Sequence, residues 1–263
     1  MIVTPGIGLK LQRQWEIIQA LMLRDIRTRF FGSSLGFVIA ILWPLSHIFL
    51  AVATNVLAGR IAPYGDSSVL WFSASVLAYM CFSYTSRFIS MGLLVNKSLL
   101  VFPAIKMVDI LISRAIIEML NSSCIIICVF IILLLLGVNP IPADPIEASL
   151  AMGANMLLGL GFGVVNAIIM AAIPGWMTGY ALFSIAMWIA SGVMFVPDSL
   201  PIEARYWLSF NPALHGVEWM RSAYYEGYGG VVLDKAYMIE FALVSLLFGL
   251  VIERVFRSRL LEG

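Results

Sequence analysis

Residues 24–59 read RDIRTRFFGSSLGFVIAILWPLSHIFLAVATNVLAG. Three arginines lie within the first six of these residues, and no Lys, Arg, Asp or Glu follows between Phe30 and Gly59. This uncharged run exceeds the ~20 apolar residues that a helix needs to cross the hydrocarbon core of a bilayer. Because basic flanks resist translocation, the arginines should stay on the cytoplasmic side. The stretch therefore predicts a membrane-spanning helix that leaves the cytoplasm, and the orientation of every later helix follows from it.

The composition of the whole chain also indicates a membrane protein. Of the 263 residues, 61% are hydrophobic and 12% are charged. A soluble domain carries about 25% charged residues, so this supply could not cover a water-exposed surface. The three cysteines lie inside apolar runs at spacings that suit neither a zinc site nor a redox pair. We expect them to act as small buried hydrophobes.

The predicted fold class is an all-α integral membrane protein, a single transmembrane domain of residues 1–263 with six membrane-spanning helices. The spans are predicted at residues 31–59, 67–86, 115–138, 148–172, 177–196 and 236–252. Both termini and the loop 87–114 are then cytoplasmic. Twelve of the 16 lysines and arginines lie on the cytoplasmic side in this topology, and four lie outside. The inverted topology would place that basic excess on the wrong side.

The predicted cytoplasmic N-terminus, residues 1–30, includes an amphipathic helix at residues 9–23. Its apolar face consists of Leu11, Trp15, Ile18 and Met22. Most of the basic and polar side chains lie on other faces, which is typical of a helix that lies in the membrane interface with its apolar side toward lipid. Packing of this helix on another protein is the alternative.

Residues 197–235 differ from the rest of the chain because they mix charged side chains with many aromatic ones. Asn211 followed by Pro212 is typical of an N-cap with proline at the first helical position. Two short amphipathic helices, at residues 201–209 and 212–225, fit this pattern better than one span. We expect a re-entrant external hairpin between the fifth and sixth spans, which dips into the outer leaflet and returns. Residues 236–263 then form the sixth span and a cytoplasmic tail.

The sequence lacks two features that would indicate other classes of function, a phosphate-binding loop and ionisable residues at the middle of the spans. No lysine follows a glycine, so the chain lacks the phosphate-binding loop G-x-x-x-x-G-K-[ST], and any ATP that drives this protein must bind to another subunit. Within the apolar runs the acidic residues are Glu118 and Glu240, both near span ends. Proton- or sodium-coupled carriers normally keep ionisable groups at the midplane, which argues against a secondary carrier. A carrier or a channel is kept as a remoter alternative.

Residues 32–36 match the nucleophile-elbow pattern G-x-S-x-G. That motif needs a strand–turn–helix context and a histidine partner, whereas here it opens a membrane helix. A membrane-embedded enzyme acting on glycolipids would need an acid or nucleophile constellation that this sequence lacks. We therefore predict no catalytic residues and no metal site. The glycines at 32/36, 159/163 and 175/179 are also spaced as G-x-x-x-G, which favours close packing of helices.

Aromatic side chains and few charges line the predicted spans, and aromatic rings can stack on the apolar faces of sugar rings. For His47, donation to a backbone carbonyl in helix packing and lining of a polar path are both compatible with its position beside Pro44. The residues that we predict to line a substrate path are Trp43, His47, Trp71, Tyr84, Arg87, Trp188 and Phe195.

Three blocks of sequence resemble one family. They are RDIRTRFFGSSLGFVIAILWPLSHIFL (24–50), VNKSLLVFPAIKMVDILISRAIIE (95–118) and FNPALHGVEWMRSAYYEGY (210–228). The first looks like the type-2 ABC exporter permeases, specifically the capsular polysaccharide export permeases. The last resembles the family signature N-P-x-x-H-x-x-E-x-x-R, and the six-span order agrees. Trp43 departs from the family pattern, since relatives often carry an acid before the proline.

The resemblance implies a permease subunit that is not an enzyme: a homodimer that pairs with two ATP-binding cassette subunits in the bacterial inner membrane. ATP and Mg would bind to those subunits, with no cofactor in this chain. The substrate would be a lipid-linked, acidic capsular polysaccharide, or alternatively O-antigen, teichoic acid or another lipid-linked glycan. Further expected partners are periplasmic and outer-membrane polysaccharide export proteins and membrane lipids, without nucleic acid.

The resemblance also implies roles for two segments. Residues 87–105 would be the coupling helix that docks into the ATPase, through Asn96, Lys97, Ser98 and Leu99. Residues 197–235 would form external gate helices. The gate residues expected there are Tyr206, Trp207, His215, Glu218, Trp219, Arg221 and Tyr224. A polyanionic chain would meet Arg87 and Arg221 at opposite mouths of an otherwise neutral path.

Overall fold

The computed structural model describes residues 7–30, 36–173 and 175–262, and the regular structure in these ranges is helical, as predicted. The α-helices are α1 (Ile7–Phe30), α2 (Gly36–Leu57), α3 (Ser68–Ser90), α4 (Gly92–Val95), α5 (Met107–Leu135), α6 (Pro145–Ala172), α7 (Trp176–Ile189), α8 (Ile202–Leu208), α9 (Pro212–Tyr224) and α10 (Lys235–Glu262). Two short 3₁₀ helices span Lys97–Val101 and Pro197–Ser199. The first four residues of the G-x-S-x-G pattern lie outside the described residues.

Five of the helices in the described ranges are long and apolar enough to cross a membrane. The apolar stretches are Val38–Leu57 in α2, Ser68–Val95 across α3 and α4, Met107–Leu135 in α5, Pro145–Ala172 in α6 and Lys235–Val255 in α10. The helix in the remaining predicted span, 177–196, is α7, which has 14 residues. At 1.5 Å per residue α7 is about 21 Å long, which is less than the ~30 Å hydrocarbon core. The predicted fifth span is therefore shorter than a full crossing.

The early end of α7 has a local cause. Gly192 has a φ of 77°, in the left-handed region that side-chain-bearing residues rarely adopt, so the chain turns there. The carbonyls of Gly192, Val193 and Phe195 all accept hydrogen bonds from the Arg221 guanidinium on α9. Because a distant side chain binds these carbonyls, a helix does not need to continue in order to satisfy them. The apolar run between residues 177 and 196 did not reveal this.

The centre of the bundle is α6, which packs between α3 and α10. Three glycines of α6 make the close approach possible. A Cβ at Gly159 would lie 2.7 Å from the Phe82 carbonyl of α3, and a Cβ at Gly161 would lie 2.5 Å from the Ala242 carbonyl of α10. Gly163 likewise faces α3. Close packing of α6 on α3 therefore explains the G-x-x-x-G spacing of Gly159 and Gly163.

The caps of three helices follow from their sequences. Ser67 accepts from the Leu70 amide at the start of α3, and Asp144 caps α6, in which proline occupies the first position. Asn211 accepts from the Ala213 amide, so it caps α9 as predicted. The two short helices predicted in residues 197–235 are present as α8 and α9.

The segment between α3 and α5 is shorter than predicted. Helix α3 continues to Ser90 and α5 begins at Met107, so residues 91–106 connect them rather than residues 87–114. We call residues 91–106 the α3–α5 loop. Helix α1 is also longer than the predicted amphipathic segment. Of its predicted apolar face, Ile18 is buried, whereas Leu11 is 67% exposed.

Candidate functional site

The α3–α5 loop is joined to α1 by hydrogen bonds. Asn96 is 3% exposed, and its carboxamide oxygen accepts from an Arg24 Nη2 group on α1. Its amide nitrogen donates to the Gly92 carbonyl at 2.8 Å. At one edge of the same contact, the Lys106 ammonium donates to the Gln14 carboxamide oxygen at 3.2 Å. Asn96 is therefore an internal link between α1 and the loop, although sequence reasoning had placed it on a docking surface.

A buried ion pair reinforces this link one residue further along α1. Asp25 Oδ2 lies 2.7 Å from Arg114 Nε on α5, and the two side chains are 8% and 10% exposed. Arg24 and Asp25 are consecutive, so one turn of α1 contacts the loop and the first turns of α5 together. We call Arg24, Asp25, Asn96 and Arg114 the α1 clamp.

The surface of the loop that remains exposed is partly apolar. Lys97 and Ser98 are exposed, Leu99 is half-buried, and Val101 is 82% exposed. Phe102 beside it is also exposed. Sequence reasoning missed Val101 and Phe102, although two apolar residues directly before a proline in a polar loop were a usable signal.

Part of the predicted substrate path forms a contiguous group between α2 and α3. His47 Nδ1 and the Tyr84 hydroxyl are hydrogen-bonded, and the Trp43 ring packs edge-on against His47 at 5.1 Å between centroids. Arg87 follows Tyr84 by one helical turn on α3 and is exposed. Trp43 is also exposed, so this group presents an aromatic and basic face outside the bundle core.

The other predicted path residues lie elsewhere. Trp188 of α7 packs edge-on against Tyr79 of α3 at 4.8 Å between centroids. Trp71, at the start of α3, is 1% exposed and lies under α9. Phe195 is half-buried, and its carbonyl is bound by Arg221 at 3.0 Å. Within one chain the seven residues therefore do not line a single continuous surface.

Arg221 is the centre of a second polar network, at the end of the bundle where α9 packs on α3 and α6. Its side chain is fully buried, and its guanidinium is bonded on all three nitrogens. Nε donates to Ser75 Oγ (2.9 Å), Nη1 to Glu218 Oε1 (2.8 Å) and Phe195 O (3.0 Å), and Nη2 to Gly192 O (2.8 Å) and Val193 O (3.3 Å). The buried charge is thus paired and hydrogen-bonded.

Aromatic rings enclose this charge. The Arg221 guanidinium lies 4.5 Å from the centroid of the Trp71 ring, a cation–π distance. Tyr225 and Tyr228 contact the same indole at 5.1 and 5.6 Å, and the Tyr228 hydroxyl donates to Glu218 Oε2 at 2.7 Å. Both Glu218 oxygens are therefore occupied within the chain. Arg221, which was expected to meet a polymer, and Glu218, which was expected in the external gate, hold α9 against α3 and against residues 190–196, which we call the 190s segment.

His215 and Trp219, also on α9, make separate contacts. Nε2 of His215 faces the Ser209 carbonyl at 2.7 Å, and Nδ1 faces the Asp234 amide at 3.0 Å, a pattern that assigns the neutral tautomer with the proton on Nε2. Burial lowers the pKa of His215 below its usual value. The Trp219 indole donates to Glu147 Oε2 at 2.5 Å, and Lys235 reaches the same oxygen at 2.6 Å.

The remaining predicted gate residues are Tyr224, Tyr206 and Trp207, and they differ in how far they are exposed. Tyr224 is buried, whereas Tyr206 and Trp207 on α8 are well exposed. No group of three or more His, Cys, Asp or Glu side chains able to hold a metal ion occurs among the described residues.

Five helices in the described ranges are long and apolar enough to cross a bilayer, and they define a multi-pass membrane protein. The profile of the ABC-2 type transporter family matches residues 16–225, and the chain belongs to that family. The chain is similar to the polysialic acid transport protein KpsM of Escherichia coli, 26% identical over 248 residues that cover 94% of this chain and 95% of KpsM.

Two further relatives align over similar lengths. The capsule polysaccharide export inner-membrane protein CtrC of Neisseria meningitidis serogroup A is 24% identical over 251 residues, covering 91% of this chain and 90% of CtrC. The capsule polysaccharide export inner-membrane protein BexB of Haemophilus influenzae is 23% identical over 255 residues, which cover 92% of each chain.

Proposed function

We propose that this chain is the transmembrane subunit of an ATP-driven exporter that moves a lipid-linked, acidic capsular polysaccharide across the bacterial inner membrane. The observation that carries the proposal is the similarity, over more than nine-tenths of the chain, to relatives named as capsule polysaccharide or polysialic acid transporters. The scarcity of charge in the spanning helices supports it, since a sliding polymer needs weak and repeated contacts rather than tight sites.

The proposed topology has six crossings, with α1 and the end of α10 on the cytoplasmic side. Helix α7 makes the shortest crossing, and residues 197–235 complete it from outside as a hairpin set into the outer leaflet. The support is that α7 stops at Ile189 and that α9, which follows, is buried against α3 and α6. A short helix backed by a buried one can cross part of the bilayer if its backbone groups are satisfied by protein.

Coupling to ATP hydrolysis is assigned to the α3–α5 loop. Lys97, Ser98, Val101 and Phe102 supply an exposed surface with a charge beside an apolar patch. Asn96 acts behind that surface through the α1 clamp, so movement of the loop is transmitted to α1 and α5. The partners are two ATP-binding cassette subunits that hold ATP and Mg, and a second copy of this chain.

The polymer passes between the two copies, along the face that carries Trp43, His47, Tyr84 and Arg87. Weak stacking on the exposed Trp43 ring and a single cation per copy suit an acidic glycan that must keep moving. Periplasmic and outer-membrane export proteins receive the chain beyond the inner membrane. If Arg87→Ala and Trp43→Ala variants both export polymer at the normal rate, this path is wrong.

The first test is co-expression of this chain with its ATP-binding subunit, followed by co-purification and measurement of ATP hydrolysis. We expect a stable complex with the wild type, and loss of the complex or of coupled activity with Lys97→Glu. Lys10→Glu, an exposed charge reversal on α1 outside the loop, is the matched control and should retain both. Failure of the wild type to bind an ATP-binding subunit would overturn the exporter and favour a secondary carrier.

The second test measures the cargo. Deletion of the gene in its own bacterium should remove surface capsule and leave polymer inside the cell, and a plasmid copy should restore export. Composition analysis of the retained glycan distinguishes acidic capsule from O-antigen or teichoic acid. If capsule is unchanged and O-antigen is retained inside the cell, the proposed cargo is wrong, whereas the assignment as an exporter stands.

A further inference from the structure

An open groove of about 680 Å³ lies between α8, the start of α9, the segment before α10 and the first turn of α10. It is separate from the coupling loop and from the α2–α3 group. Its volume is in the range of ligand sites, about 300–1,000 Å³. In the proposed topology the groove faces outward, at the mouth from which an exported polymer would emerge.

One wall of the groove is aromatic. Tyr206 and Phe210 pack edge-to-face with 5.2 Å between ring centroids, and both are more than half exposed. The Tyr237 hydroxyl donates to the Phe210 carbonyl at 2.8 Å, which fixes the backbone of this wall against α10. Rings held in this way can receive the C–H face of a sugar with little loss of conformational freedom.

The charged side chains of the groove are Arg205 and Asp234. Arg205 Nε donates to the Leu200 carbonyl at 2.7 Å, and its two Nη groups have no partner among the described residues. Asp234 uses Oδ1 to cap α10 by accepting from the Tyr237 amide at 2.9 Å, which leaves Oδ2 without a partner in the same part of the chain. The groove therefore contains a fixed guanidinium fork and a free carboxylate oxygen.

The remaining polar groups of the groove do not change its charge. Both nitrogens of His215 are engaged within the chain, so this side chain is neutral. The Ser209 hydroxyl donates to the Tyr206 carbonyl at 2.7 Å and can still accept a hydrogen bond. One cation beside one anion disfavours a polyphosphate but suits a ligand that has a carboxylate and hydroxyls on the same ring.

We propose that this groove binds one carboxylate-bearing sugar residue of the exported glycan, an inference that rests on the proposed function. The Arg205 fork holds the sugar carboxylate by two parallel hydrogen bonds, the geometry that guanidinium and carboxylate share. Tyr206 and Phe210 take the apolar face of the ring, and Asp234 Oδ2 accepts from a hydroxyl. Weak binding at the outer end of the path opposes return of the polymer between the two copies.

The test is binding of two acidic probes, a sialic acid tetramer and a hexuronic acid tetramer, to the full chain in nanodiscs of zwitterionic lipid, measured by calorimetry. We expect at least one acidic tetramer to bind and a neutral glucose tetramer to bind at least tenfold more weakly. Arg205→Gln and Tyr206→Leu should each weaken binding of the acidic tetramer about tenfold. Glu203→Gln, an exposed change on α8 outside the groove, should leave the affinity unchanged.

Several results would overturn this assignment. They are no binding of either acidic tetramer, wild-type affinity in Arg205→Gln, equal competition by inorganic phosphate, and loss of binding when anionic phospholipid is added to the nanodisc. The last two would define an anion site or a headgroup site instead. Thermal unfolding of each variant separates lost binding from lost folding. Capsule export by the wild type in the same cells distinguishes failure of the groove from failure of the proposed function.

Discussion

The two ends of the bundle use buried charge in different ways. In α9, 12 of 13 residues are buried, and Arg221 pairs with a glutamate on the same helix while it binds the backbone of the 190s segment. At the other end, the 3₁₀ helix Lys97–Val101 has no buried residue. The α1 clamp behind it joins residues 72 positions apart. Both arrangements link separate helices, but the first encloses its charges in the bundle core, whereas the second lies beside an exposed surface.

This difference bears on which parts can move. Displacing α9 alone would break four of the five hydrogen bonds of Arg221, all except that to Glu218 on the same helix, and expose its charge to a low-dielectric interior, so α9 should move together with the 190s segment and α3 or not at all. The α3–α5 loop is anchored by buried Leu93 and Asn96, but its 3₁₀ helix has no buried residue and can shift with less loss of buried contact. Substitutions in the two networks, with matched controls, can break or sharpen this comparison.

The largest expected effect is at the α9 end. Arg221→Met removes the partner of Glu218 and leaves a buried, uncompensated carboxylate, which should cost about 3–5 kcal/mol of unfolding free energy. Thermal unfolding of the detergent-purified protein measures it. Ser75→Ala, which removes one of the five bonds, is the matched control and should cost about 1 kcal/mol. If Arg221→Met unfolds at the same temperature as Ser75→Ala, the network does not hold α9.

A companion variant distinguishes lost charge pairing from lost packing. The double variant Glu218→Gln with Arg221→Met removes both charges, so it should recover part of the stability lost in Arg221→Met. A double variant that is less stable than the single one would mean that Glu218 finds another partner.

The next effect is expected in the α1 clamp. Asp25→Asn keeps the shape of the side chain but removes the charge opposite Arg114, and hydrogen bonds to charged groups contribute about 1.5–3 kcal/mol. Arg114 has further contacts, so the lower half of that range is expected. Unfolding temperature and ATP-driven activity of the complex are both measured. Glu16→Gln, exposed on the same helix, should change neither.

Adjacent residues of the loop provide a finer comparison. Asn96→Ala removes the buried bonds to Arg24 and Gly92 and should cost about 1–2 kcal/mol, while the exposed docking surface stays chemically intact. Lys97→Ala should leave the unfolding temperature within error and weaken binding of the ATP-binding subunit. The opposite pattern, a stable Asn96→Ala that fails to bind, would return Asn96 to the docking surface.

The sequence predicted the elements that depend on local chemistry. Uncharged runs located five spanning helices, and Asn211 with Pro212 located the start of α9. The short α7 was not predictable in this way, because it ends where Arg221, 29 positions away from Gly192, binds the backbone. A hydropathy pattern records the transfer cost of side chains and carries no information on which distant donor satisfies a carbonyl.

The candidate site shows the same limit. Aromatic and basic residues were singled out as site candidates, but their burial could not be inferred from residue type. Arg221 and Arg205 lie in one segment and look alike in sequence. The first has every nitrogen bonded within the chain, whereas two nitrogens of the second have no partner among the residues that the structure describes. Residue type therefore identifies candidates, and the partners of each side chain determine whether it can contact a ligand.

The smallest expected effect concerns the pair Glu147 and Lys235, which ties α6 to the first residue of α10 beside α9. The two side chains are 35% and 41% exposed, so solvent and salt screen their attraction, and such pairs contribute less than about 1 kcal/mol. Lys235→Gln should lower the unfolding temperature slightly in low salt and not at all in 1 M salt. Trp219→Phe, which removes the indole donor to Glu147 but not the ring, should show a loss that is less sensitive to salt. A salt-independent loss in Lys235→Gln as large as that of Arg221→Met would mean that an exposed pair, rather than the buried guanidinium, holds α9 in place.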